Sequence, residues 1–149
     1  MSTLTYAKYP KCYDGTYTTL HDCSSEIPHL AIGIWKGFFQ LSNQLFIDEM
    51  WKSLDFIREK KVVAMISDHS ELKVVGQDVL DWVHDNWYSN AAKYGLRLEA
   101  ALDPKSAIAK LSLQRMLDKA NTGTIETSTF PDFQTAYDFC VQFLSEYTR

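Results

Sequence analysis

From Ser42 onward the chain keeps one cadence, an amphipathic stretch followed by a short apolar run, repeated to its end. Ser42 to Lys60, Gly76 to Tyr94, Lys105 to Ala120 and Asp132 to Tyr147 read as helices. Val62 to Ser67, Leu96 to Leu102 and Thr124 to Phe130 read as strands. Helical stretches alternating with strands predict βα units on a largely parallel sheet, because each crossover then carries a helix that covers the sheet. Upstream, Asp14-Gly15 marks a tight turn or hairpin. Strands are expected near Thr16 to His21 and from Leu30 to Lys36, with a loop at Ser24 to Pro28 between them and a turn at Gly37. The predicted fold is α/β: a mixed, mainly parallel sheet flanked by about four helices, in one domain over residues 1–149. Residues 1–28 form an extension with a strand and a turn, and its first dozen residues are expected to be loosely held.

Phe46, Met50, Leu54 and Ile57 make an apolar stripe on the first helix, while Asp48, Lys52, Asp55 and Glu59 lie off it. Val79, Val83, Trp87 and Ala91 line the second, which ends at a C-cap glycine, Gly95. The run Val62 to Ile66 has no polar residue, as a central strand covered on both faces requires. Leu96, Leu98, Ala100 and Leu102 alternate with Arg97, Glu99 and Ala101, which predicts a strand with one better-buried face. Asp103-Pro104 reads as N-cap and first helical position. The last helix is expected to bury Phe133, Ala136, Tyr137, Cys140, Phe143 or Leu144, and Tyr147.

Composition narrows function by exclusion. A net charge of −4 with scattered Lys and Arg argues against a nucleic-acid surface. No run reaches the roughly 18 apolar residues of a membrane span. Met1 to Tyr6 lacks the basic-then-apolar form of a secretory leader. Cys12, Cys23 and Cys140 are an odd number without repeated spacing, which fits reduced thiols and a cytoplasmic location.

Few residues are left for chemistry. No GxGxxG, GxxxxGK[ST] or GxSxG motif occurs, so neither a phosphate-cradling loop nor a nucleophile elbow is present. Cys12 with His21 and Cys23 matches no zinc module. Asp78, Asp81, His84 and Asp85 read as a solvated acidic helix face. No metal or cofactor is expected. The segment Asp68-His69-Ser70 lies at the carboxyl end of a buried strand, where α/β proteins gather ligands. Its compressed Ser, His and Asp groups should diverge rather than converge on one reacting atom. No catalytic residue is assigned. Trp51, Trp82 and Phe39 stand at the margin of the core, where aromatic side chains either cover it or line a groove.

The segments Trp35-Lys-Gly37, Ile66-Ser-Asp68, Asp78-x-x-x-Trp82, Ala91-x-x-x-Gly95-Leu96, Ala100 and Phe130-x-Asp132-x-x-x-Ala136 together resemble uncharacterised bacterial STAS/SEC14-like proteins of the SpoIIAA-like fold. The resemblance covers Leu30 to Leu144. It implies a non-enzymatic interaction or regulatory module whose surface includes Asp68, His69, Ser70, Gly76, Asp78 and Trp82. STAS regulators carry a phosphorylatable Ser or Thr at the start of the helix after the Val62 to Asp68 equivalent. Here that loop reads Glu71 to Asp78 without a hydroxyl, and Ser70 belongs to the strand exit. The alternative implied is a carrier of small apolar, lipid-like ligands, walled by Trp51, Trp82 and Phe39. The expected partner is a protein or such a ligand, and the chain itself is expected to be a monomer or a homodimer.

Overall fold

In the computed structural model, which describes residues 6–121 and 123–147, six strands form one sheet in chain order. They are β1 (Lys11–Asp14), β2 (Thr18–Asp22), β3 (Leu30–Trp35), β4 (Ala64–Asp68), β5 (Leu98–Leu102) and β6 (Glu126–Phe130). β1 to β3 pair antiparallel, and β3 to β6 pair parallel. The leader expectation, read almost wholly from residues 1–5, lies outside the described residues, as does Thr122 at the expected end of the third helix.

Four helices connect or follow the parallel strands. α1 (Gln44–Lys60) starts where the Asn43 side chain accepts from the Leu45 amide at 3.0 Å, and stops where Lys61 turns left-handed at φ 53°. α2 spans 77–93 and changes pitch within itself: Gln77–Trp82 is α-helical, Val83–Tyr88 is a π-helix, and Ser89–Lys93 is α-helical again. Its apolar stripe recurs every four residues, which drifts round an α-helix of about 3.6 residues per turn. The wider π turn takes up that drift, so Val79, Val83, Trp87 and Ala91 all stay buried. α3 (Ala107–Ala120) and α4 (Phe133–Tyr147) complete the set.

Strand alternation gives the sheet two covered faces. Ala31, Trp35, Met65 and Ala101 meet α1, α2 and α3 on one face. Ile32, Ile66, Leu98 and Ala100 meet α4 on the other, through Phe133, Ala136, Cys140 and Leu144. Tyr6, Tyr9 and Cys23 are buried in that second core, while Ala7, Lys8 and Pro10 to Cys12 are exposed. The Asp14-Gly15 turn between β1 and β2 is gripped by Glu49 of α1. A Cβ on Gly15 would run into that carboxylate and into the Tyr13 ring.

Three expectations are corrected. β5 is buried on both faces, not one, because Glu99 points into the α1–α3 side with hydroxyl partners of its own. The cap of α3 is Ser106, whose Oγ accepts from the Ala109 amide at 3.3 Å; Asp103 instead pairs with Lys110 at 3.5 Å. Tyr147 is half exposed and stacks on Phe143 rather than entering the core. No helix among the described residues is long and apolar enough to cross a membrane.

Candidate functional site

β3 and β4 run parallel and end at the same edge of the sheet, so the loops that follow them, residues 36–43 and 69–76, lie side by side. A short bridge joins them: the Gly37 amide donates to the Glu71 carbonyl at 3.1 Å, and the Lys73 amide to the Gly37 carbonyl at 3.0 Å. Gly37 holds φ 85° here, a conformation in which a side chain would strain the backbone. Between the loops and the start of α2 runs a groove of about 380 Å³, bordered by Phe38, Phe39, Leu41, Val74 and Val79. Phe38 is 49 % exposed and Val74 is 43 % exposed on its rim. Exposed apolar side chains mark a docking site when they form one contiguous patch beside a concave surface, whereas singly scattered ones are ordinary.

The sequence-predicted residues divide around this edge. Gly76 and Asp78 border the groove, with Asp78 Oδ1 accepting from the Val79 amide at 2.9 Å. Phe39 is buried, stacks on Phe46 at 4.5 Å, and forms the groove floor. Trp82 is half-buried between Phe46 and Trp51, and Trp51 is 40 % exposed. Asp68 and His69 leave the sheet in opposite directions. Asp68 faces Tyr6, whose hydroxyl donates to it at 2.7 Å, and it accepts from the Ser70 amide at 2.9 Å. His69 faces the helices. The Asp, His and Ser groups are not brought together around one point, as their adjacency on an emerging strand predicts.

Sequence reasoning missed the polar cluster inside the α1–α3 core. Glu99 is 2 % exposed; Ser67 Oγ donates to its Oε2 at 2.7 Å and Tyr88 Oη donates to its Oε1. Burial pushes the Glu99 carboxyl above its usual range, against the opposite pull of those two hydroxyls. Burial and then Glu99 itself push the Tyr88 phenol well up. The only signal in the sequence was a glutamate in an otherwise apolar strand, which alternation explains as solvent-facing. Beside it lies a cavity of about 20 Å³ bordered by Trp35, His69, Trp87 and Met116. Such a space suits one water molecule. Trp35 Nε1 and His69 Nδ1 are both buried around it without a protein partner.

Tyr88→Phe is therefore expected to cost about 1–3 kcal/mol, the penalty for stripping a buried acceptor of its donor. Urea denaturation reads this directly, and an unchanged midpoint would show that Oε1 has other means of satisfaction.

The sequence's metal-like groupings are dispersed. Cys12 is exposed while Cys23 is buried. Asp81 binds Lys119 at 2.9 Å, and His84 pairs with Asp85. Among the described residues no three His, Cys, Asp or Glu side chains are grouped to hold a metal.

No protein-family model matches this chain, and no curated protein is significantly similar to it.

Proposed function

We propose that this chain is a STAS-like, cytoplasmic interaction module that acts without catalysis. Its docking surface is the groove between residues 36–43 and 69–76, together with the start of α2. The observation that carries this reading is the pair of rim residues, Phe38 and Val74, each nearly half exposed on a groove of mixed lining that also includes Gln40, Ser42 and Asp78. Aromatic anchors at the centre of a desolvated patch supply most of the energy of protein–protein contacts. The occupant that fits is an apolar protein segment. Glu71 to Asp78 carries no hydroxyl, so this reading includes no phosphorylation switch at the start of α2.

The carrier reading ranks second. Phe39, Phe46, Trp82 and Trp51 form a continuous aromatic chain that would suit an apolar ligand. Small-molecule sites enclose roughly 300–1,000 Å³; the groove floored by Phe39 holds about 380 Å³, but Phe46, Trp82 and Trp51 do not border it.

Val74→Glu is the decisive variant. A protein captured by the wild-type chain from lysate should be lost at least about tenfold with Val74→Glu, a charge placed on the groove rim where a bound apolar segment would have to desolvate it. It should be retained with Leu111→Glu, since Leu111 is an exposed apolar residue on α3 outside the groove. Equal capture by both variants would overturn the reading. A ligand mass seen by native mass spectrometry and lost on denaturation would promote the carrier instead.

A further inference from the structure

The face of the sheet opposite α1, α2 and α3 carries a second concave surface that shares no bordering residue with the groove. Alternation places Thr19 and His21 of β2, Ile34 of β3 and Asp68 of β4 on this face, with Lys36 and Ser70 just beyond the strand ends. With Tyr6 they enclose a cleft of about 390 Å³, outside the carboxyl ends of β3 and β4. Open α/β sheets hold their ligands at that edge.

The charges around the cleft sort themselves by pairing. Lys11 is taken by Asp14 at 3.5 Å, and Glu71 by Lys105 at 2.7 Å. Asp68 and Lys36 are left. Asp68 is 2 % exposed, and its carboxylate receives the Tyr6 hydroxyl and the Ser70 amide. Among the described residues no cation lies within 4 Å of it. A buried carboxylate without a counter-ion is costly, and proteins ordinarily supply one. Lys36 donates to Thr19 Oγ1 at 3.1 Å, that hydroxyl donates to Asp14 at 3.1 Å, and the Asp14 carboxyl, held below its usual range chiefly by Thr19 and Lys11, also feels the Lys36 charge. Ile34 pairs with Asp68 on one side and with Thr19 on the other. An apolar floor thus separates a carboxylate at one end from an ammonium at the other.

The geometry points to a binding site for a small zwitterion of the amino-acid type, its ammonium on Asp68 and its carboxylate on Lys36. His21 closes one wall. Its ring packs against Tyr6 at 5.9 Å, and its Nδ1 is tied to the Tyr9 carbonyl at 3.1 Å.

The probes are L-alanine, β-alanine and 4-aminobutyrate, with propionate and propylamine as singly charged controls. Binding is read from the amide resonances of Ile34 and Ser70. At least one zwitterion should bind about tenfold or more tightly than either control, and Lys36→Met and Asp68→Asn should each remove that advantage. Lys36 is half-buried at the cleft rim, so Lys36→Met decides the matter if Asp68→Asn fails to fold. Equal binding of a control, undisturbed Ile34 and Ser70 resonances with every probe, or full affinity in folded Lys36→Met would each overturn the site.

Discussion

Glu49→Ala is expected to cost on the order of 3 kcal/mol of folding stability, since each buried donor left without an acceptor costs about 1–3 kcal/mol. Glu49 is 2 % exposed and has no cation within 4 Å among the described residues. Its charge is held by donors alone. Oε1 accepts from the amides of Tyr17 at 2.7 Å and Thr18 at 3.2 Å, and Oε2 from the Thr16 amide at 3.0 Å and the Tyr13 hydroxyl at 2.8 Å. Successive backbone N–H groups curled round one carboxylate form an anion-binding nest. Truncation orphans three of those amides at once and unpins the β1–β2 turn from α1. Glu49→Gln keeps the volume but offers one acceptor oxygen and turns an NH₂ group on the same donors, so it should also destabilise the chain. Urea denaturation followed by circular dichroism checks both variants. Midpoints equal to that of the wild type would show that the turn is held by its own hairpin bonds.

The second large effect is in pH. His69 is 2 % exposed, and burial pulls its imidazole from 6.5 down to about 4. The neighbouring Asp68 charge and the Leu102 and Ser67 backbones pull the other way without offsetting burial. Between those two values the unfolded chain binds a proton that the folded chain refuses. The contribution of His69 is therefore fully present above pH 6.5 and is lost as pH falls toward 4, by about 3 kcal/mol. Glu99 acts with the opposite sign. Its carboxyl is raised, so its contribution is full below its ordinary value and declines as pH rises through the folded one. The difference between wild type and His69→Gln isolates the imidazole from Glu99 and from the surface carboxylates. That difference should change by about 3 kcal/mol between neutral pH and pH 4. The substitution itself adds a pH-independent offset, so the slope carries the test. A flat difference would mean that His69 takes up its proton in the folded state.

What the chain encodes locally is its periodicity. The stripe Phe46, Met50, Leu54 and Ile57 specified α1 and its buried face, and the unbroken apolar run to Ile66 specified a strand covered on both sides, because burial of a helix or strand face needs only spacing. The order of elements was enough for a mixed, mainly parallel sheet, since long crossovers force parallel neighbours. Pairing partners were not legible in this way. Glu99 and Ser67 stand 32 residues apart, and only the parallel register of β4 on β5, which sets Glu99 opposite Met65 and Ser67 opposite Ala101, makes them diagonal neighbours on one face. Asp103-Pro104 carried a sound capping signal that Ser106 displaced, since the backbone enters α3 later than local preference alone suggests.

The functional edge followed the same division. Asp68 and His69 could be placed at a strand exit from sequence, and their divergence follows from strand alternation. That Asp68 meets Tyr6 while His69 borders a cavity with Trp35 depends on which segments cover each face. Phe38 and Val74 are not distinguishable in sequence, because nothing within a window of neighbouring residues separates an apolar side chain left in water from one in the core. Local sequence sets backbone preference and the facing of each element, both short-range quantities. Burial, counter-charge and the meeting of two loops are set by segments distant in the chain, and they exist only once the sheet has brought those segments into contact.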